Sequence, residues 1–76
     1  MVKGNIVQVM GPVVDVEFAD NQDLPFIKDA LTVDNNGRKC VMEVAQHLGN
    51  NVVRCIMLSS SEGLHRDMEV IATGAG

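Results

Sequence analysis

The feature that most limits what this chain can become is the run CVMEVAQHLGNNVVRCIML at 40–58. It is two extended stretches rich in Val, Leu, Ile and Met, hinged at Gly49-Asn50-Asn51. Val44 and Leu48 fall on one face of the first stretch, and Glu43 and His47 on the other. In the second, Val53, Cys55 and Met57 share a face and Arg54 points away. A period of two, broken by a Gly/Asn cluster, predicts a β-hairpin.

A second hairpin precedes it. Residues 28–34 read as a strand, and Asn35-Asn36-Gly37 is the strongest turn signal in the chain. Asn-Gly supplies the two positive φ angles of a type I′ turn. With Asn36-Gly37 as the turn, Val33 faces Cys40, Leu31 faces Met42, and Asp34 faces Lys39. Apolar residues meet and charges oppose, so the features agree on one register.

The same scheme covers most of the chain. GNIVQVM at 4–10 and VVDVEF at 13–18 flank Gly11-Pro12. Val14, Val16 and Phe18 form an inner face, with Asp15 and Glu17 outside and expected to be solvated. Pairing across Gly11-Pro12 sets Val9 beside Val14 and Val7 beside Val16. Pro12 suits a tight turn poorly as second residue, so a neighbouring register stays open. Residues 19–27 form a loop, Ser59 to Leu64 a turn and crossing segment, and MEVIAT at 68–73 a last strand. About six strands and no helix result. In 76 residues the core is thin, and closing the sheet on itself removes exposed edges. The predicted fold is all-β: one domain over 1–76, a small closed six-stranded antiparallel β-barrel.

Composition excludes several functions. Net charge is −4, and six bases scattered from Lys3 to Arg66 make no phosphate-neutralising patch. Phe18 and Phe26 are the only aromatic residues, too few for a base-stacking platform. These points argue against nucleic-acid binding. No apolar run approaches the roughly 18 residues of a membrane helix, and Met1-Val2-Lys3-Gly4 leads into a strand pattern rather than a signal peptide.

Cys40 and Cys55 are the only cysteines. A turn at Gly49-Asn50 places Cys55 opposite Val44 and Cys40 opposite Ser59, about 13 Å apart along the strands. A disulfide needs Cα atoms within about 7 Å, so both thiols are expected to stay reduced as small buried hydrophobes. The gaps among Cys40, His47, Cys55 and His65 match no zinc-knuckle spacing. No GxxxxGK[ST] phosphate loop occurs. Ser59, Ser60 and Ser61 lack a positioned base, and His47 near a hairpin tip could bond a neighbouring strand or subunit. No catalytic, cofactor-binding or metal-binding residue is assigned.

Several runs together resemble the β subunit of F-type ATP synthases. GNIVQVMGPVVDVEF at 4–18 is similar to its opening pattern Gly-x-Ile-x-x-Val-x-Gly-Pro-Val-Val-Asp-Val-x-Phe. Ala30-Leu31-Thr32-Val33 resembles its third strand, and EVAQHLG at 43–49 with NNVVR at 50–54 its most recognisable early segment. Ser61-Glu62-Gly63-Leu64, Arg66 and Met68-Glu69-Val70 resemble Thr-Glu-Gly-Leu-x-Arg-Gly-x-x-Val. Asp67 departs from the family's Gly, and Gly76 stands where Pro is common. The α subunit, the vacuolar-type subunits and the flagellar export ATPases share the barrel but not this wording.

The resemblance implies a six-stranded barrel in the crown of a ring of three α and three β subunits, with α subunits as partners. It implies that ATP or ADP and Mg bind in later domains of the parent subunit, which makes or hydrolyses ATP coupled to proton or sodium transport. On that reading Thr73-Gly74-Ala75 leads toward the nucleotide-binding domain, so the chain is expected to be truncated there and to carry no catalysis itself. The parent complex would be peripheral, on the cytoplasmic face of a bacterial plasma membrane or organelle-encoded. Val13, Val41, Val52 and Ile56, apolar on the second faces, suit contact with neighbours. The competing reading is a stand-alone OB-like binding module.

Overall fold

A computed structural model describes residues 2–20 and 23–74. Six strands follow in order: β1 (Val2–Met10), β2 (Val13–Phe18), β3 (Ala30–Asn35), β4 (Arg38–Gly49), β5 (Val52–Met57) and β6 (Glu69–Ala72). They close as β1-β2-β5-β4-β3-β6, every neighbouring pair antiparallel. Closure comes from β6, which pairs with β1 on one side and β3 on the other. Two longer connections, before β3 and before β6, let the chain cross the barrel ends.

Alternation along each strand fills the interior. Val14, Val16 and Phe18 of β2, Leu31 and Val33 of β3, and Val53, Cys55 and Met57 of β5 all point inward. Such side chains stabilise the fold by about 1.5–3 kcal/mol each when fully buried. Cys40 and Cys55 are both free and buried.

The β3–β4 hairpin has the expected register. Leu31 pairs with Met42, Val33 with Cys40 and Asp34 with Lys39. Asn36 and Gly37 take φ of 54° and 88°, both left-handed as a type I′ turn demands. The Asp34 carboxylate also accepts the Gly37 amide at 2.7 Å.

The other two hairpins are bulged, and each bulge corrects an expectation. In β1 the register shifts between Ile6 and Gln8, so Ile6, not Val7, pairs with Val16 and fills the core. Val9 still faces Val14. In β4 the register shifts twice, between Val44 and Gln46 and between His47 and Gly49. Each shift leaves one residue, Ala45 and then Leu48, without a partner across the ladder. The turn is therefore Asn50-Asn51 rather than Gly49-Asn50, at φ of 53° and 64°. Moving the turn one residue changes the register by two, and the two bulges return it. Val44 consequently still pairs with Cys55. Beyond the first bulge the inside–outside pattern is lost, so Leu48 is exposed instead of sharing the buried face of Val44.

Two close approaches depend on backbone. A Cβ on Gly4 would stand 2.8 Å from the Phe18 ring and from the Glu17 carbonyl, so only Gly lets that ring lie against β1. Asp67 sits at φ 75°, the left-handed region where a Gly would be unstrained. Its amide donates to Ile6, whose own amide donates to Met68, docking the crossing segment on β1.

Candidate interaction surface

The outer wall carries an organised polar group where β1, β2 and β5 lie side by side. β2 and β5 are not consecutive, yet they pair side by side and bring Asp15 opposite Arg54. Arg54 donates to Asp15 through Nε at 2.9 Å and Nη2 at 3.0 Å, a two-point contact. Gln8 Nε2 on β1 adds a third donor at 3.2 Å. Asp15 is thereby buried, contrary to the solvated outer residue expected, while Glu17 two residues on is exposed. The carboxylate's hydrogen bond and charge raise the Arg54 pKa. Burial, helped by the negative Asp15 nearby, pushes the Cys55 thiol up to about 12. A thiol held neutral in this way is a packing group rather than a nucleophile.

Toward one end of this cluster the wall carries apolar groups. Met10 pairs with Val13 and Val13 with Ile56, while the Leu58 amide donates to the Val41 carbonyl. Met10, Ile56 and Leu58 are exposed. Three of the four second-face residues named from sequence (Val13, Val41 and Ile56) belong to this stretch of wall, and Val52 lies further along β5.

At the other end a loop is fastened across the barrel mouth. His47 Nε2 lies 2.7 Å from the Pro25 carbonyl, the Lys28 amide donates to Val44, and the Val44 amide donates to Asp29. His47 thus bonds a loop of its own chain. Asn51 holds Asp20 by a side-chain hydrogen bond. Phe26 is presented on a closed turn: its amide donates to Asp29 Oδ2, and the Asp29 amide donates to its carbonyl. Beneath it runs a cleft of about 650 Å³, walled by Val2, Leu24, Pro25, Phe26, Ala72 and Thr73, with Asp23 and Asp29 at its sides.

The remaining candidates are scattered. His65 faces the Arg66 carbonyl in an exposed loop, and Ser61 donates to Gly11 while its own carbonyl closes the turn onto Leu64. No set of three or more His, Cys, Asp or Glu among the described residues is placed to hold a metal ion. Sequence reasoning missed the Asp15–Arg54 pair. Its one signal was an acid and a base at the centres of two strands, invisible until those strands were known to be neighbours.

Residues 6–74 match the family model of the ATP synthase alpha/beta family, beta-barrel domain. The chain belongs to this family. The barrel domain of the ATP synthase alpha/beta family has a structural role in the synthase, whose alpha and beta subunits form a hexameric assembly. The F1 portion of ATP synthase is a peripheral membrane complex. Among the described residues no helix is long and apolar enough to cross a membrane.

Proposed function

We propose that this ATP synthase barrel is the crown domain of an F-type β subunit and holds its parent between neighbouring α subunits. The observation that carries this reading is the run EVAQHLG at 43–49, wording similar to the β rather than the α subunit. On this reading ATP or ADP and Mg bind to later domains of the parent, where ATP synthesis or hydrolysis is coupled to proton or sodium movement. The assembly then works at the cytoplasmic face of a bacterial membrane. The outer wall supports an assembly role, since exposed Met10, Ile56 and Leu58 are apolar groups that a neighbour could cover. Phe18 is buried, leaving Phe26 as the one exposed aromatic, a poor basis for an oligonucleotide platform.

A chimera tests the assignment. This barrel is grafted in place of the native one in an F-type β subunit and, separately, in an α subunit. The β chimera is expected to assemble into hexamers that hydrolyse ATP, and the α chimera to fail. Assembly only from the α position would overturn the β reading.

A further inference from the structure

The cleft beneath Phe26 has features the barrel does not need for folding. Phe26 is 76% exposed, the most exposed large hydrophobic among the described residues. Leaving a whole aromatic ring in water forgoes the burial that makes such residues useful in a core. Its position is nonetheless held firmly. The Phe26–Asp29 turn closes on itself by two hydrogen bonds, and the His47, Lys28 and Val44 contacts pin the loop to β4. A pre-ordered exposed aromatic costs little further entropy when a partner covers it, which is how interface anchors behave.

Among the described residues the charge of the cleft is one-sided. Asp23 and Asp29 both line it, and Lys28, the one base of the turn, does not. Asp29 accepts the Phe26 amide through Oδ2, which fixes its carboxylate beside the ring's own turn. Floor and walls are apolar, from Val2, Leu24, Pro25 and Ala72. An apolar trough with an exposed ring and two carboxylates at its edge complements one kind of ligand, an apolar group followed by a cation. The ring attracts the cation through its π face, and the carboxylates do so by charge.

We propose that this cleft is a docking site for a protein segment that carries an aliphatic side chain next to an arginine or lysine. The aliphatic group fills the trough against Leu24 and Ala72, and the base lies over Phe26 between Asp23 and Asp29. A free small molecule would leave much of the Phe26 ring wet, whereas a protein surface covers ring and trough together. The site is independent of which subunit of the family this barrel comes from.

The test is a titration of the isotope-labelled chain, followed by NMR, with the peptide acetyl-Ala-Leu-Arg-Ala-amide and in parallel with acetyl-Ala-Leu-Glu-Ala-amide. At millimolar concentration the arginine peptide is expected to shift the amides of Leu24, Phe26, Asp29 and Thr73, and the glutamate peptide is not. Apparent affinity should fall severalfold as salt rises to about 1 M, where the screening length shrinks to about 3 Å. Phe26→Ala should abolish the shifts and Asp23→Asn should weaken them severalfold. Both side chains are exposed, and unchanged core amides will confirm that each variant stays folded. Equal shifts from the two peptides, no shifts at all, or shifts that survive Phe26→Ala would overturn the proposal.

Discussion

The β3–β4 and β4–β5 hairpins share a strand but are built on different plans. The first runs in unbroken register from Ala30 opposite Glu43 to Asn35 opposite Arg38. The second loses register twice within six residues of β4. Where the ladder is regular, alternate side chains are buried and the hairpin adds to the core. Where it is bulged, residues 45–49 are all exposed, and the strand end serves as a post to which the Pro25–Asp29 loop is tied. Regular pairing makes the fold, and irregular pairing makes the surface. Bulges are a common means of re-aiming side chains where a barrel meets something else.

The largest effect should come from the shared strand itself. Met42 is fully buried and paired with Leu31 on one side and Met57 on the other. Met42→Ala is expected to cost about 2–5 kcal/mol, much of the roughly 4–11 kcal/mol expected for a domain of this size. Urea denaturation should show a midpoint far below that of the parent. A midpoint near that of the parent would mean that the two hairpins do not share a core.

Alkaline titration sharpens the comparison at the start of the bulged region, where Cys55 faces Val44. The thiol's ordinary value is 9.0 and burial pushes it to about 12. Between those values the unfolded chain has lost the proton while the folded chain keeps it, so stability falls as pH rises. The slope from this one group is about 1.4 kcal/mol per pH unit. In Cys55→Ala that contribution should vanish, flattening the decline relative to the parent across the same window. Parallel curves for the two proteins would show that the Cys55 environment does not oppose ionisation.

The turns separate the two plans more gently. Gly37 holds φ 88° in the regular hairpin, and Gly37→Ala should cost about 1–2 kcal/mol of global stability through left-handed strain. That loss should appear as a lower melting temperature with one cooperative transition. At the bulged tip, His47→Ala removes the hydrogen bond to the Pro25 carbonyl, worth about 0.5–1.5 kcal/mol. Here the loss should be local. Amide exchange should speed up at Lys28 and Asp29 while the Leu31 and Val33 amides remain as protected as before. Uniform acceleration would mean that the loop and the core unfold as one unit.

What could be read from the sequence alone follows from the range of the forces involved. Asn36-Gly37 needs nothing beyond two residues' backbone preferences, and the alternation of Leu31, Val33, Cys40 and Met42 needs only a strand with one wet face. Those features determined the β class, the first hairpin's register and most of the core. The resemblance carried by GNIVQVMGPVVDVEF and EVAQHLG added the family, which the match over 6–74 shows at the level of the alpha/beta barrel domain. The bulges at Val7, Ala45 and Leu48 were not legible, because period-two reading assumes every residue has a partner across the ladder. The register expected across Gly11-Pro12 holds near the turn, where Met10 pairs with Val13 and Val9 with Val14, and the shift comes only between Ile6 and Gln8.

Tertiary structure decided the rest. Asp15 looks like any outward-facing acid in its strand, and its burial depends on Arg54, 39 residues away on a strand that becomes its neighbour only when the sheet closes. The cleft under Phe26 likewise joins the loop before β3 to the end of β6, so it exists only once β6 has paired with both β1 and β3. Backbone preference and hydrophobic period act within a few residues, and they determined the strands. Which strands lie side by side is settled by burying one common core, and that choice placed the ion pair, the tied loop and the surface this barrel presents.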